Sequence, residues 1–220
     1  MLHKKWVGLQ TKQLCSEDAL STEQCYDIAD LIYDTDKYIY PALFAGQGEP
    51  KENARIVLTS ILCKGTDEMF KKDNLFLCTI GNRVIGLILW NRGMLKWDCD
   101  TFIDEASNAN TQLIKENVLL VKNAYIGNRY ESNAQEEREY VNLINVCVGS
   151  DMRGKGIGSF LIRSFISEHR AEAMKLCVLC DNTSAVRLYK ENGFTISLQS
   201  PGFSLEERKP LCYEMIRISD

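Results

Sequence analysis

Residues Asp151–Leu161, DMRGKGIGSFL, set Gly154, Gly156 and Gly158 together with Arg153 and Lys155 directly ahead of an apolar run with helical spacing. The first turn of a helix carries backbone N–H groups without intrahelical partners and a partial positive charge. An anion can be held there once side chains are out of the way. Glycine costs helix stability, so this cluster reads as clearance for a phosphate or pyrophosphate, to which Arg153 and Lys155 add charge. Two known phosphate loops fit poorly. The P-loop needs Ser or Thr after its Lys, where Gly156 follows Lys155; the dinucleotide fingerprint needs G-x-G-x-x-G, where the spacing is G-x-G-x-G. Taken alone, the stretch also suits a plain turn joining a strand to a helix.

Other chemistry-bearing residues are few. Cys177 and Cys180 form a C-x-x-C inside the strand-like run KLCVLC. Residues three apart on a strand point to opposite faces, and no second pair accompanies them, so neither a metal nor redox chemistry is expected. The 9 cysteines sit mostly in apolar runs (Cys78, Cys147, Cys177) and read as small buried hydrophobes in a reducing compartment. His3 lies near the start of the chain and His169 at a helix end, where a cation suits the dipole; neither is expected to catalyse.

The elements that must position the glycine turn are legible by periodicity. Tyr140–Val148 (YVNLINVCV) alternates and then becomes continuously apolar, a strand running into a core. A helix is expected from Gly156 to about Arg170, with Ile157, Phe160, Leu161 and Phe165 inward, then a strand over Lys175–Cys180 and a short helix over Thr183–Asn192 closed by Gly193. Two last strands are expected at Phe194–Leu198 and Leu211–Ile218. This alternation implies α/β packing. Upstream, Trp6–Leu14 reads as an opening strand. Ser21 with Gln24 makes a capping box for a helix reaching Tyr33, and Asn53 opens a second helix with Val57, Leu58, Ile61 and Leu62 on one face. Leu75–Ile80 and Val84–Trp90 around Gly81-Asn82 read as a hairpin.

The 220 residues, 45% hydrophobic and 25% charged, suit one domain over 1–220, with a loosely patterned insertion at about 91–138 around a helical run holding Leu113, Ile114, Val118 and Val121. A net charge of -4 argues against a nucleic-acid partner. No apolar window long enough to span a membrane and no secretory leader are read, so a cytoplasmic chain without a membrane partner is expected.

The pattern R-x-x-G-x-G after an apolar strand resembles the acetyl-coenzyme A loop of the GNAT superfamily of N-acetyltransferases. The likeness is reinforced in register by Asn182, Ala185, Leu188, Tyr189, Gly193 and Phe194 within DNTSAVRLYKENGF. It covers Tyr140 to about Leu198 closely, and the segment IYPALF is similar to one in bacterial members. The resemblance implies a mixed, mostly antiparallel α/β (α+β) sheet flanked by helices and splayed between its fourth and fifth strands. The pantetheine arm would lie along Val146, Cys147 and Val148, the pyrophosphate on the loop amides of Arg153, Gly154, Lys155, Gly156, Ile157 and Gly158, with Asn182 and Tyr189 completing the cofactor site.

The resemblance also implies acetyl transfer from acetyl-CoA, without a metal, by direct attack of a primary amine in a ternary complex. The acceptor is a small molecule or a peptide, and a homodimer is allowed. An alkyl amine of pKa near 10.4 is about 99.9% protonated at neutral pH, so supplying its neutral form costs roughly 4 kcal/mol. Tyr189 matches the family's proton donor to the departing thiolate, although its position equally suits core packing. Where several members carry a carboxylate on the strand before the loop, this chain has Asn142. Glu139, or a water chain ordered by Asn142 and Asn145, is the substitute base. Tyr38, Tyr40 and Phe44 are candidates for the acceptor pocket, or else plain core. A non-catalytic acyl-CoA-binding sensor is the alternative function.

Overall fold

Ser21 starts the first helix as its capping box requires: Gln24 N–H donates to Ser21 Oγ at 3.2 Å and Ser21 N–H donates to Gln24 Oε1 at 3.0 Å, an arrangement worth about 1 kcal/mol. The computed structural model describes residues 7–36, 38–44, 49–65, 67–93, 98–109, 111, 113–114, 116–121, 140–202 and 210–219. Their order is β1 (Leu9–Gln13), α1 (Thr22–Thr35), α2 (Ile39–Leu43), α3 (Pro50–Lys64), β2 (Leu75–Ile80), β3 (Arg83–Arg92), α4 (Cys99–Asn108), β4 (Tyr140–Val148), α5 (Ile157–Glu168), β5 (Ala173–Leu179), α6 (Thr183–Glu191), β6 (Thr195–Pro201) and β7 (Leu211–Arg217). No helix of the described residues is long and apolar enough to cross a membrane.

Three departures from the expected elements have local causes. The second long helix begins at Pro50, three residues before Asn53, because proline suits the first helical position. α2 forms within YIYPALF, where Asp36 Oδ1 accepts from the Tyr38 and Ile39 amides at 2.9 and 2.6 Å. α4 occupies part of the loosely patterned stretch; Asp98 caps it, and its buried face holds Glu105, paired with Lys64 Nζ at 2.7 Å and with Ser60 Oγ at 2.6 Å.

The strands form one sheet in the order β1-β2-β3-β4-β5-β7-β6, antiparallel throughout except for the parallel β4–β5 pair. The sheet has a buried layer on each face. Helices α1 to α4 cover one, with Ile28, Ile32, Leu58 and Phe102 against Leu87, Leu89 and Cys147. Helices α5 and α6 cover the other, with Leu161, Phe165 and Val186 against Ile88, Trp90, Val141, Leu143 and Leu176.

One irregularity sets up the site. On β3, Leu89 pairs with Asn145 and Trp90 with Leu143, leaving Ile144 of β4 unopposed. Residues four apart share a face in a regular strand, yet Leu143 lies in the α5/α6 layer and Cys147 in the α1–α4 layer. The bulge has reversed the alternation. β4 and β5 pair only from Tyr140↔Ala173 to Leu143↔Leu176, and they part at that same bulge. Beyond it, β5 continues with β7 alone, through Cys177↔Glu214 and Leu179↔Cys212.

Gly86 of β3 lies opposite Val148 in this region, and a Cβ there would stand 2.9 Å from the Cys147 carbonyl oxygen, backbone against backbone. Gly86→Ala is therefore expected to lower stability by about 1–3 kcal/mol, read as a lower urea midpoint with an unchanged m-value.

Candidate active site in the parted sheet

The glycine turn follows β4 at the open end of the gap. Gly149 N–H donates to the Ile85 carbonyl at 2.9 Å and a single 3₁₀ turn, Ser150–Met152, buries Met152 beneath the loop. Arg153 Nε then turns back to donate to the Val148 carbonyl at 3.0 Å, and Asp151 pairs with Arg83 at 2.9 Å. Gly154 and Gly156 have φ of +71° and +84°, a left-handed backbone that side chains disfavour. Gly158 has another reason: a Cβ would meet Leu188 Cδ2 at 3.3 Å, where α5 packs on α6. The glycines are thus required by turn geometry at 154 and 156 and by packing at 158. Gly156 supplies no side-chain cap to α5, so no capping side chain occupies the start of this helix. The turn from Arg153 to Gly156 is exposed. A pyrophosphate fits this arrangement of outward amides and local cations.

Val146 and Val148 face the α5/α6 layer and Cys147 the other. Burial pushes the Cys147 thiol up to about 12, partly countered by the Thr35 hydroxyl and the Arg153 charge. Such a thiol is protonated at neutral pH and inert as a nucleophile. Tyr189 reaches toward it from α6: its ring packs edge-on to Phe194 with centroids 5.7 Å apart, and burial, then the neighbouring Cys147, raises its phenol well above the ordinary value. The residue is 7% exposed and its hydroxyl bonds to no described residue. The ring of Tyr189 is therefore core, and its hydroxyl is left without a bonded partner among the described residues. Asn182 caps α6, its Oδ1 accepting from the Ala185 amide at 3.3 Å and the Ser184 hydroxyl at 3.1 Å.

The other candidates separate. Asn142 Nδ2 donates to the Gly93 carbonyl at 2.9 Å, Asn145 lies half-buried beside the bulge, and Glu139 and His3 lie outside the described residues. Tyr40 and Phe44 belong to the core instead of an acceptor pocket, at 5% and 0% exposure, with Tyr40 stacked on Phe102 at 6.5 Å; Tyr38 is half-buried. His169 is a core residue, its Nδ1 2.7 Å from Glu172 Oε1 and its ring against Phe165 and Trp90.

One residue that sequence reading passed over stands by the gap. Asp36 closes α1 next to Thr35, and its charge bears on Cys147. Burial raises its carboxyl against the pull of the Ile39 and Tyr38 amides. The sequence signal was the acidic run Asp34-Thr35-Asp36 at the helix end. On β5 and β7, Lys175 and Glu214 pair at 2.8 Å, with Ser197 Oγ donating to Glu214 at 2.8 Å.

The cysteines also divide. Cys78 and Cys147 are buried, as expected, but Cys177 is exposed, because it lies on the face of β5 opposite Met174, Leu176 and Val178, which pack in the α5/α6 layer. Alkylation of the native protein should label Cys177 and leave Cys147 and Cys78 unmodified, as read by peptide mass spectrometry. Denaturant should make all of them reactive.

Residues 113–196 match the family model of the acetyltransferase (GNAT) domain. No curated protein matches the chain. Among solved structures it is similar to an N-acetyltransferase from Staphylococcus aureus Mu50, at 18% identity, 94% of this chain and 99% of that one, with a TM-score of 0.59. It is similar also to an acetyltransferase of the GNAT family from Streptococcus pneumoniae (15%, 96% and 99%, TM-score 0.55) and to yncA from Salmonella typhimurium, solved with its cofactor acetyl-CoA (14%, 96% and 94%, TM-score 0.53). At these identities the likeness to solved structures is one of fold. That domain is matched in sequence over β4, α5, β5 and α6, and the sheet parts between its fourth and fifth strands, features consistent with a member of the GNAT superfamily.

Proposed function

We propose that the protein transfers an acetyl group from acetyl-CoA to a primary amine, on a small molecule or a peptide, by direct attack within a ternary complex. The carrying observation is the coincidence of the bulge at Ile144, the end of β4–β5 pairing at Leu143↔Leu176, and the uncapped start of α5 at the open end of that gap. A linear arm can add to the unpaired edge of β4 as a strand would, with its diphosphate on the α5 amides.

Acetyl-CoA would supply the acyl group activated as a thioester. The chain's own residues do the remainder. The backbone of Val146 to Val148 orients the arm, and the loop with Arg153 and Lys155 binds its anionic end. The Tyr189 hydroxyl, kept protonated by its burial, can give a proton to a departing thiolate, whose conjugate acid has a pKa of about 8.5. The protonated state of Cys147 favours attack by the amine over an acyl-enzyme at that thiol.

Release of free thiol from acetyl-CoA over a panel of amines tests the reading. Turnover with at least one amine is expected; acetyl-CoA binding without thiol release would favour the sensor, a reading that the amide at Asn142 keeps in play. Tyr189→Phe should keep acetyl-CoA affinity within about twofold and lower kcat by about 10²-fold, in the range of a lost general acid. Gly156→Val imposes a β-branched side chain on a left-handed backbone at a strain of about 1–3 kcal/mol. Acetyl-CoA affinity should then fall by roughly tenfold or more, measured by calorimetry.

A further inference from the structure

The acceptor ammonium must lose a proton before its nitrogen can attack, and Asn142 cannot take one at neutral pH. Helix α1 ends in a group of carboxylates whose partners differ. Asp30 is held by Arg55 at 2.9 Å and Asp34 by Lys51 at 2.7 Å. Asp36 has no cation partner among the described residues. Only its Oδ1 is engaged, by the Tyr38 and Ile39 amides. Its Oδ2 accepts no bond from them, though the side chain is half-buried.

Its place follows from what α1 crosses. Asp27 Oδ2 accepts from the Val84 amide at 2.9 Å, Leu31 Cδ2 would lie 3.8 Å from a Cβ at Gly149, and Thr35 interacts with Cys147. The helix therefore runs across β3 onto the part of β4 that has left β5, and Asp36 is the next residue along. Asp36 itself meets the Tyr38 and Ile39 amides, and it shares the surroundings of the Cys147 thiol with Thr35, Asp34 and, from the loop, Arg153.

We propose that Asp36 binds the acceptor as an alkylammonium and accepts its proton, a role that rests on the acetyltransferase reading of the same site. One ammonium proton passes to Asp36. The nitrogen lone pair then forms the C–N bond while the thioester C–S bond breaks. The second nitrogen proton, lost as the amide forms, balances the one taken up by the sulfur, and Asp36 returns its proton to solvent. A half-buried carboxylate with no cation partner among the described residues favours cationic acceptors and disfavours carboxylate-bearing groups at the reacting end. The raised carboxyl of Asp36 is consistent with this use, since a better proton acceptor is one with a higher pKa.

Asp36→Asn tests the role while keeping an acceptor oxygen for the α2 amides, so the fold and its melting temperature should be preserved. With an alkylamine that the wild type acetylates, kcat/KM at pH 7 should fall by about 10²-fold or more. The rise of kcat/KM on the acid side of the wild-type profile should vanish in D36N, Asp36→Glu should recover part of the rate, and the Kd for acetyl-CoA should stay within twofold. D36N turning over within threefold of wild type, with the acid-side rise intact, would overturn the role of Asp36 while leaving the acetyltransferase reading standing. Should no amine be acetylated, that reading fails separately, and n-butylammonium binding in the presence of CoA still decides the contact. The wild type should saturate at least tenfold below D36N, and equal binding would refute it.

Discussion

The separation of β4 from β5 is the constraint on which the rest of the molecule depends. Four residues pair in parallel, Tyr140 to Leu143 with Ala173 to Leu176, and then the ladder stops in the middle of the sheet. Each backbone hydrogen bond forgone nets only about 0.5–1.5 kcal/mol, whereas each Leu, Ile or Phe side chain fully buried contributes about 1.5–3 kcal/mol. The sheet stays whole because the layers on its faces bridge both halves. In the α5/α6 layer, Leu161 and Phe165 share a cluster with Ile88 and Val141 on one side of the gap and with Met174, Leu176 and Met215 on the other. The bulge at Ile144 also sends Cys147 to the α1–α4 side while Val146 and Val148 stay with α5, so the two faces of β4 at the gap differ in chemistry.

The loop is shaped by the same parting. With no fifth strand beside it, the Val148 carbonyl takes its hydrogen bond from Arg153, and that return of the arginine directs the chain into the left-handed steps at Gly154 and Gly156. The geometry of the turn, with its left-handed steps, is thus set by the same residues that the proposed diphosphate site would use. The chain is acidic overall, with a net charge of -4, but the cations at 153 and 155 stand where helix amides already favour an anion, and local field outweighs net charge at such a distance.

Much of this was legible in the sequence because it is local. The capping box at Ser21, the hairpin turn at Gly81-Asn82, the strand Tyr140–Val148 and the helix closing at Gly193 depend on neighbours within a few residues, and each forms where its signal lies. What escaped depends on contacts far along the chain. α4 reads as polar because its buried face contains Glu105, made tolerable only by Lys64 and Ser60 from α3. Tyr40 and Phe44 looked equally suited to a pocket or a core, and only their packing beside α4 resolves them as core. The exposure of Cys177 follows from which face of β5 the helices cover, which alternation within one strand cannot reveal. Asp36 was invisible for the same reason: its neighbour Cys147 is more than a hundred positions away.

The amide at position 142 and the carboxylate at 36 are two sides of one electrostatic arrangement. Asn142 donates from Nδ2 to the Gly93 carbonyl. An ionised Asp at that place would turn an acceptor toward an acceptor. It would also sit beside Asn91, its register partner on β3, whose buried Oδ1 already finds no donor among the described residues. On the β5 side its neighbour would be Lys175, whose charge is committed to Glu214. A buried anion lacking donors and an uncommitted cation is costly, so β4 is a poor host for a base in this chain. The joint between α1 and α2 is a better one, because two amides point at the same oxygen of Asp36 and hold the side chain in place, while no cation among the described residues pairs with its charge.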